Sequence, residues 1–276
     1  MHKFTGLTAA ALFTGCSLFV VYDYETETNQ PKVVVEETES KKKPKKKTAR
    51  DKDGSIDFAA ITDVNEKKQA FFDYLRPGIE LENSRITKER RRLETIDAHF
   101  DENDVTSEDL AYAKRLGKLY RLPVPDSGIT QDWLTSMLLR VDVLPEALVL
   151  TQAANESAWG TSRFATEANN FFGQWCYTKG CGLVPLQRVE GMTHEVANFD
   201  SVQQSIHGYF MNVNRNNAYR ELRDIRYKLH IDGQDLLSHQ TATELTQGLL
   251  RYSERGQAYV DDLKAMIRHN QGFWLQ

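Results

Sequence analysis

Apolar and polar residues between positions 65 and 100 recur with the period of an α-helix. The spacing of the first apolar residues predicts a helix that ends at Pro77, because proline lacks the N–H that a helix interior needs. A second apolar stripe follows, with a charged run at 88–92 that we expect to form a solvated face. The members of the two stripes are Ala70, Phe71, Tyr74 and Leu75, then Ile79, Ile86, Leu93 and Ile96.

Helical patterns continue over most of the remaining chain. Ser107 is placed as the N-cap of a helix over 110–120, and Thr130 as the N-cap of the next one. Between 183 and 199 the helical period disappears, and β-branched and aromatic residues predict a small irregular β-hairpin. The chain is therefore predicted to be α+β, mainly α, with a small β-hairpin lobe. The later helices are predicted at 202–213, 219–229, 236–250 and 259–267.

The segment 144–160 is apolar nearly all round, which is typical of a buried helix. Pro145 suits its first position and Gly160 its C-terminal stop. Glu156 lies in the last turn, with Gln152 and Trp159 one turn away on the same face. Burial would raise the pKa of this carboxyl and allow it to act as a general acid. The alternative is a surface glutamate at a frayed helix end.

Composition and charge limit the possible functions. The 276 residues are 40% hydrophobic and 27% charged, which excludes wholesale disorder, and the net charge of −4 excludes binding to nucleic acid by bulk positive charge. We expect four regions: a targeting segment at 1–21, a disordered charged tether at 22–55, a helical extension at 56–130 and a catalytic domain at 131–276. A lysine-rich run in the tether is either a solvated spacer or attracts anionic envelope polymers.

Residues 1–21 have the order of a secretory signal: a positive start at Lys3, an uncharged stretch, and Cys16 among small residues. This order is similar to a bacterial lipoprotein signal, in which Cys16 is the lipidation site. An uncleaved single membrane anchor and cleavage without lipid remain alternatives. We therefore expect a periplasmic protein, tethered to the outer membrane by lipid or to the inner membrane by its N-terminus.

Two further cysteines, Cys176 and Cys181, lie five positions apart. In an exported protein this pair predicts a disulfide that closes a small loop. Zinc is the alternative, but four ligands at a suitable spacing are missing and His194 is the nearest histidine. We expect no metal and no cofactor.

Several segments resemble the glucosaminidase domain of glycoside hydrolase family 73. The run 152–160, Gln-Ala-Ala-Asn-Glu-Ser-Ala-Trp-Gly, is similar to that family's Q-x-x-x-E-S-x-W-G helix, and 162–173 is similar to its S-x-x-A-x-x-x-N-N-x-F-G segment. Shorter likenesses occur at 199–201, 217–219 and 252–259. The resemblance covers roughly 133–270, about half the chain.

The resemblance implies a lysozyme-like fold and cleavage of β-1,4 bonds after N-acetylglucosamine in peptidoglycan. It implies that Glu156 is the acid that protonates the leaving oxygen, that Glu195 is the second carboxylate and that Tyr252 lines the cleavage site. Glu190 competes with Glu195 for the second role, and the alternative for Glu195 is an exposed hairpin acid. The remaining candidates for sugar binding are Gln152, Trp159, Asn170, Phe171, Trp175, Tyr209 and Tyr219.

Three functions remain open from the sequence. The first is an endo-β-N-acetylglucosaminidase that acts on glycan strands of peptidoglycan. The second is a lytic transglycosylase, in which one acid suffices and a hydroxyl of the sugar attacks. The third is a peptidoglycan-binding module without activity, in which Glu156 only hydrogen-bonds sugar. In each case we expect a monomer.

Overall fold

The computed structural model describes residues 56–186, 188 and 193–274. The expected signal with Cys16, the tether and Glu190 lie outside these residues. Within the part of the chain that the structure describes, no helix combines the length and hydropathy needed to cross a bilayer.

The described residues form a mainly α fold with one small sheet, as the sequence predicted. The short 3₁₀ segments Asn217–Tyr219, Thr246–Leu249 and Gln271–Phe273 connect or end helices. The α-helices are α1 (Val64–Asp101), α2 (Ser107–Leu119), α3 (Gln131–Arg140), α4 (Glu146–Ser157), α5 (Arg163–Ala168), α6 (Val202–Arg215), α7 (Arg220–Ile231), α8 (His239–Leu245) and α9 (Gln257–His269).

Helix α1 is 38 residues long and passes through Pro77 without a break. The predicted stop at this proline is therefore wrong. The Pro77 ring lies on the exposed face of α1, while the apolar stripe continues past it on the buried face. Burial of that stripe against the rest of the protein outweighs the hydrogen bond that proline removes. The stripe joins one continuous core with α3, α4 and α6.

The charged run of α1 is not wholly a solvated face, which corrects the second expectation for this region. Arg90 is only 7% exposed and its Nη1 lies 3.0 Å from the carboxylate of Asp142. The same guanidinium donates to the carbonyl of Leu138. Arg92 pairs at 2.7 Å with the fully buried Asp109 of α2. The Arg90 contacts join the N-terminal extension to the remainder of the molecule, and the Arg92 pair joins α1 to α2 within the extension, in both cases through compensated buried charge.

The N-caps lie within one residue of their predicted positions, whereas α4 ends before the predicted stop at Gly160 and has Ala158 as its C-cap. Thr130 caps α3 as expected, accepting a hydrogen bond from the backbone of Trp133. The N-cap of α2 is Thr106 rather than Ser107, because Thr106 and Asp109 form a reciprocal capping box. Pro145 is the N-cap residue of α4 rather than its first helical residue.

The β lobe is a three-stranded antiparallel sheet in the order β1-β3-β2. Its strands are β1 (Trp175–Cys176), β2 (Gly182–Leu183) and β3 (Glu195–Ala197). The predicted hairpin at 183–199 is thus present, but it gains β1 from the preceding segment. Cys176 is the register partner of Glu195, so the first cysteine lies directly beside β3.

Helix α4 lies in the centre of the fold, as predicted for a segment that is apolar nearly all round. It contacts α1, α8 and α9, and its apolar side chains are almost completely buried. The structure therefore fixes the position of the residues at its C-terminal end.

Because α1 contributes to the same core as α4, loss of a buried α1 side chain should destabilise the whole fold. We expect Ile86→Ala to lower the free energy of unfolding by about 2–5 kcal/mol, since Ile86 is 0% exposed. The matched control is Leu81→Ala in the same helix, where the side chain is 49% exposed and a change within about 0.5 kcal/mol is expected. Urea denaturation measures both. Equal losses of stability in the two variants, or two separate unfolding transitions, would contradict a single core shared by α1 and α4.

Candidate active site

Glu156 lies one residue before the end of α4 and is partly exposed, unlike the buried residues of the preceding turns. The helix ends in an unusual turn, because Ala158, Trp159 and Gly160 all adopt positive φ angles of 50°, 58° and 77°. Left-handed backbone at a non-glycine residue costs about 1–2 kcal/mol. Such strain is concentrated at functional sites. Here it turns the chain sharply just beyond the carboxylate.

Hydrogen bonds fix the Glu156 side chain. The Tyr259 hydroxyl, from α9, donates to Glu156 Oε1 at 3.1 Å. The Asn155 amide donates to the same oxygen at 3.2 Å. Behind Tyr259, the buried Gln152 amide donates to the tyrosine oxygen at 3.2 Å and accepts from Tyr209 at 2.5 Å. The acid candidate is therefore held by a chain of hydrogen bonds that reaches into the core.

Four tyrosines surround this carboxylate on its protein side. The rings of Tyr252 and Tyr259 are 5.4 Å apart, and those of Tyr219 and Tyr252 are 5.6 Å apart. Burial raises the pKa of all four hydroxyls, and the Glu156 carboxylate raises the pKa of Tyr209, Tyr252 and Tyr259 further. These hydroxyls therefore stay protonated and serve as hydrogen-bond donors.

The aromatic loop after α5 approaches the carboxylate through a glycine. A Cβ placed on Gly173 would lie 3.6 Å from Glu156 Oε2, and Gly173 has a φ of +62°. Asn170 fixes this loop, since its amide donates to the carbonyls of Gln174 and Ala197 at 2.8 and 2.9 Å. The loop and β3 are thus tied together beside Glu156.

The structure buries most of the residues predicted to contact sugar. Phe171, Tyr209 and Tyr219 are at most 3% exposed, and Gln152 and Asn170 at most 1%. Their side chains pack inside the protein and do not offer open ring faces, and their part in sugar binding stays a prediction.

Two indole rings differ in their surroundings. Trp175 is 6% exposed and stacks on His194 at 3.6 Å, so its ring face is also covered. Trp159 is partly exposed, and its ring packs against Phe71 and Phe72 of α1. Of the predicted sugar-binding residues, Trp159 retains accessible surface. Tyr252 is buried among the tyrosines, and its proposed role in cleavage stays a prediction.

Glu195 braces the β lobe. Its Oε1 accepts from the backbone N–H of Gly180 at 3.0 Å and its Oε2 from that of Gly182 at 2.9 Å. The Gly180 hydrogen bond is the largest influence on the Glu195 carboxyl and lowers its pKa, with Gly182 acting in the same direction. Both carboxylate oxygens of the predicted second catalytic acid are thus engaged by the loop that faces them.

The disulfide predicted between Cys176 and Cys181 is confirmed, with 6.2 Å between the two Cα atoms. The two sulfurs and the Glu195 carboxylate lie within 4.8 Å of one another, which has the spacing of a metal site. Sulfurs joined in a disulfide are not thiolates and do not offer the ligands that zinc prefers. The three residues therefore do not fit the zinc alternative.

Tyr259 is the contact to the candidate acid that the sequence reasoning did not assign. The family resemblance includes both Tyr252 and Tyr259 and implies a place at the cleavage site for Tyr252 only. The structure gives the direct contact to the second. Seven residues separate the two positions, and spacing alone does not tell which ring faces Glu156.

Comparison with known proteins bears directly on this site. Residues 133–272 match the model of the Glucosaminidase family, described as mannosyl-glycoprotein endo-beta-N-acetylglucosaminidase. The chain is also 33% identical over 205 residues to the protein bax of Escherichia coli strain K12, a match that covers 74% of this chain and 70% of that protein. The chain belongs to the Glucosaminidase family. No solved structure matches it.

The Glucosaminidase segment contains α4 with Glu156, the β lobe and α9 with Tyr259. The similarity to the bax protein must also include residues before 133, because only four residues follow 272. The extension that packs against α4 is therefore partly shared with that relative. Membership of the Glucosaminidase family supports a glycosidase-like enzyme with a peptidoglycan-related hydrolase function.

The hydrogen-bond chain behind Glu156 can be tested by removing one hydroxyl. We expect Tyr259→Phe to lower the free energy of unfolding by about 1–3 kcal/mol, because the buried Gln152 amide loses its acceptor. Tyr227→Phe on α7, where the ring is partly exposed, is the control and should change stability by less than about 0.5 kcal/mol. Denaturant titration measures the free energy of unfolding of both variants. Equal values for the two variants would show that the hydrogen bonds of Tyr259 do not stabilise the fold.

The Glu195 brace predicts a pH dependence of stability. Its folded-state pKa lies below the unfolded value of about 4.3. The carboxylate therefore stabilises the fold above that pH, and this contribution is lost as the pH falls through the folded pKa. We expect Glu195→Gln to be less stable than wild type at pH 7, with a gap that narrows toward pH 3. Chemical denaturation across this range measures the gap. A stability difference between wild type and Glu195→Gln that does not depend on pH would show that the charge of Glu195 does not stabilise the fold.

Proposed function

We propose that this protein is an endo-β-N-acetylglucosaminidase that hydrolyses β-1,4 bonds in the glycan strands of peptidoglycan, with Glu156 as the general acid. The observation that carries this proposal is the placement of Glu156. It lies partly exposed at the end of a buried helix, and a hydroxyl donor fixes one of its oxygens. The family match and the relative in Escherichia coli support the substrate class.

The chemistry follows from the poor leaving ability of a sugar oxygen. Protonated Glu156 donates its proton to the glycosidic oxygen as the C1–O bond breaks. Water adds its hydroxyl to C1, and the remaining proton of that water passes to the second carboxylate or back to Glu156. Tyr259 is a positioning residue in this scheme, because it holds Glu156 Oε1 and leaves Oε2 on the side of Gly173. We propose that the departing oxygen approaches from that side.

A second candidate function is lytic transglycosylation. The engagement of both Glu195 oxygens by backbone amides favours it, because this reaction needs one acid and uses a hydroxyl of the sugar in place of activated water. For hydrolysis by Glu156 the second carboxylate is either Glu195, released from its loop when substrate binds, or Glu190. The two reactions leave different ends on the glycan.

We also propose that the protein is exported and acts in the periplasm, tethered through lipid on Cys16 or through an N-terminal anchor. The order of charged, apolar and small residues in 1–21 supports export. The disulfide agrees with it, since disulfides persist in oxidising compartments.

The proposed acid predicts a specific loss of activity. We expect Glu156→Gln to reduce the release of soluble fragments from purified sacculi by about 10²–10⁴-fold, because the amide has no proton to give to the leaving oxygen. The control is Glu167→Gln, at an exposed position of α5. It should retain wild-type activity.

Turbidity loss and fragment release from sacculi measure both variants. Full activity in Glu156→Gln would remove the acid assignment. A wild-type protein that binds sacculi but releases no fragments would favour the binding-module alternative.

A further inference from the structure

A groove of about 690 Å³ lies between the N-terminal part of α1 and the C-terminal part of α9. It is separate from the hydrogen-bond chain that holds Glu156, and neither the proposed reaction nor the family segment accounts for its α1 side. Its described lining consists of Lys68, Trp159, Ala265, Met266, Arg268, His269 and Asn270.

The Lys68 ammonium is held in place inside this groove. It donates a hydrogen bond to Asn270 Oδ1 at 2.8 Å and lies 5.4 Å from the centre of the Trp159 ring. Asn270 is itself 2% exposed, and its amide donates to the carbonyl of Met266 at 2.8 Å. An ammonium has three N–H donors, and Asn270 accepts one of them. The position of the charge is therefore fixed while donors remain for a ligand.

The charges of the groove select an anion. Lys68 and the exposed Arg268 are positive, and no acidic side chain occurs among the described residues that line it. Trp159 adds a partly exposed aromatic surface beside the ammonium. A carboxylate attached to an apolar or sugar group fits both features, because the cation binds the charge and the ring packs against its carrier.

The groove lies near the proposed acid. Tyr259 contacts Glu156, and Met266 lines the groove on the same face of α9, seven residues further on. This spacing corresponds to about 10 Å along the helix axis. Trp159 also lines the groove and follows Glu156 by three residues in the sequence. An extended glycan strand bound at Glu156 covers distances of this order.

We propose that this groove binds a carboxylate of the substrate strand, with Lys68 as the residue that recognises its charge. The proposal rests on peptidoglycan being the substrate. Two sources offer this chemistry: the free carboxylates of the stem peptides, and the lactyl carboxylate of muramic acid that carries no peptide. Lys68 thereby makes the enzyme prefer charged wall glycan over a neutral polymer of N-acetylglucosamine.

Binding by the full-length Glu156→Gln protein tests this inference without cleavage. The probes are soluble glycan strands with stem peptides, the same strands stripped of peptides at the lactyl group, and a neutral chito-oligosaccharide. We expect Lys68→Met to weaken binding of peptide-bearing strands roughly tenfold. Binding of the chito-oligosaccharide should stay unchanged, and Lys68→Arg should restore most of the loss. A loss on the stripped strands alone would identify the lactyl carboxylate as the source, a loss on the peptide-bearing strands alone would identify the stem peptides, and equal losses would show that the groove accepts either carboxylate.

Lys67→Met removes the same charge one residue away from the groove lining and is the matched control. Identical binding by the two methionine variants on both charged glycans would overturn the proposal. So would an equal loss on the neutral oligosaccharide, which would indicate a structural role for Lys68. Cleavage of the strands by the Glu156→Gln protein would refute the acid assignment alone. Binding by the Lys68→Met and Lys67→Met variants could still be compared on the neutral probe and on short charged fragments that are not cleaved.

Discussion

The site depends on a carboxylate at the end of a helix that the core surrounds. A carboxyl group that is partly removed from water needs protein groups to replace the hydrogen bonds it loses. Here the Tyr259 hydroxyl and the Asn155 amide supply those hydrogen bonds to Glu156, and Gln152 and Tyr209 hold Tyr259 from behind. Because α4 cannot move without disturbing the core, the acid has a defined position relative to α9 and the aromatic loop.

The N-terminal extension is part of this rigid arrangement. Its long helix α1 contributes apolar side chains to the core around α4, and Arg90 pairs with Asp142 just before α4 begins. The buried Glu82, also on α1, contacts Arg85 of the same helix and His207 of α6. The family segment begins only at 133, so the support of the acid extends beyond the segment that defines the family. The proposed carboxylate groove includes Lys68, so α1 also takes part in the proposed ligand recognition.

Local patterns predicted most elements of this fold, although the helix expected at 236–250 is the shorter α8 followed by a 3₁₀ segment. The apolar stripes predicted helices, the segment that is apolar nearly all round predicted the buried α4, and the cysteine pair predicted the disulfide. The stop predicted at Pro77 was wrong because the proline lies on the exposed face of the helix. Burial of apolar side chains on the opposite face outweighs the backbone hydrogen bond that is lost. Arg90 likewise appears solvated in a charged run, although its partner Asp142 lies 52 residues away.

Side-chain roles at the site were harder to predict for the same reason. Aromatic residues near a predicted cleft suggest sugar contacts, yet Phe171 and Tyr209 pack inward, because covering a large ring stabilises the core. The family resemblance implies Glu195 as the second carboxylate, whereas in the structure the tight loop closed by the disulfide directs its N–H groups to this side chain. Such contacts depend on distances in the folded protein, which cannot be derived from the spacing of residues in the sequence.

The central claim is that Glu156 protonates a glycosidic oxygen while water completes the cleavage. Digestion of purified sacculi in ¹⁸O-labelled water, followed by mass spectrometry of the fragments, tests it most directly. The account predicts fragments that end in reducing N-acetylglucosamine with one ¹⁸O atom at the new end. Fragments that end in unlabelled anhydromuramic acid would contradict it.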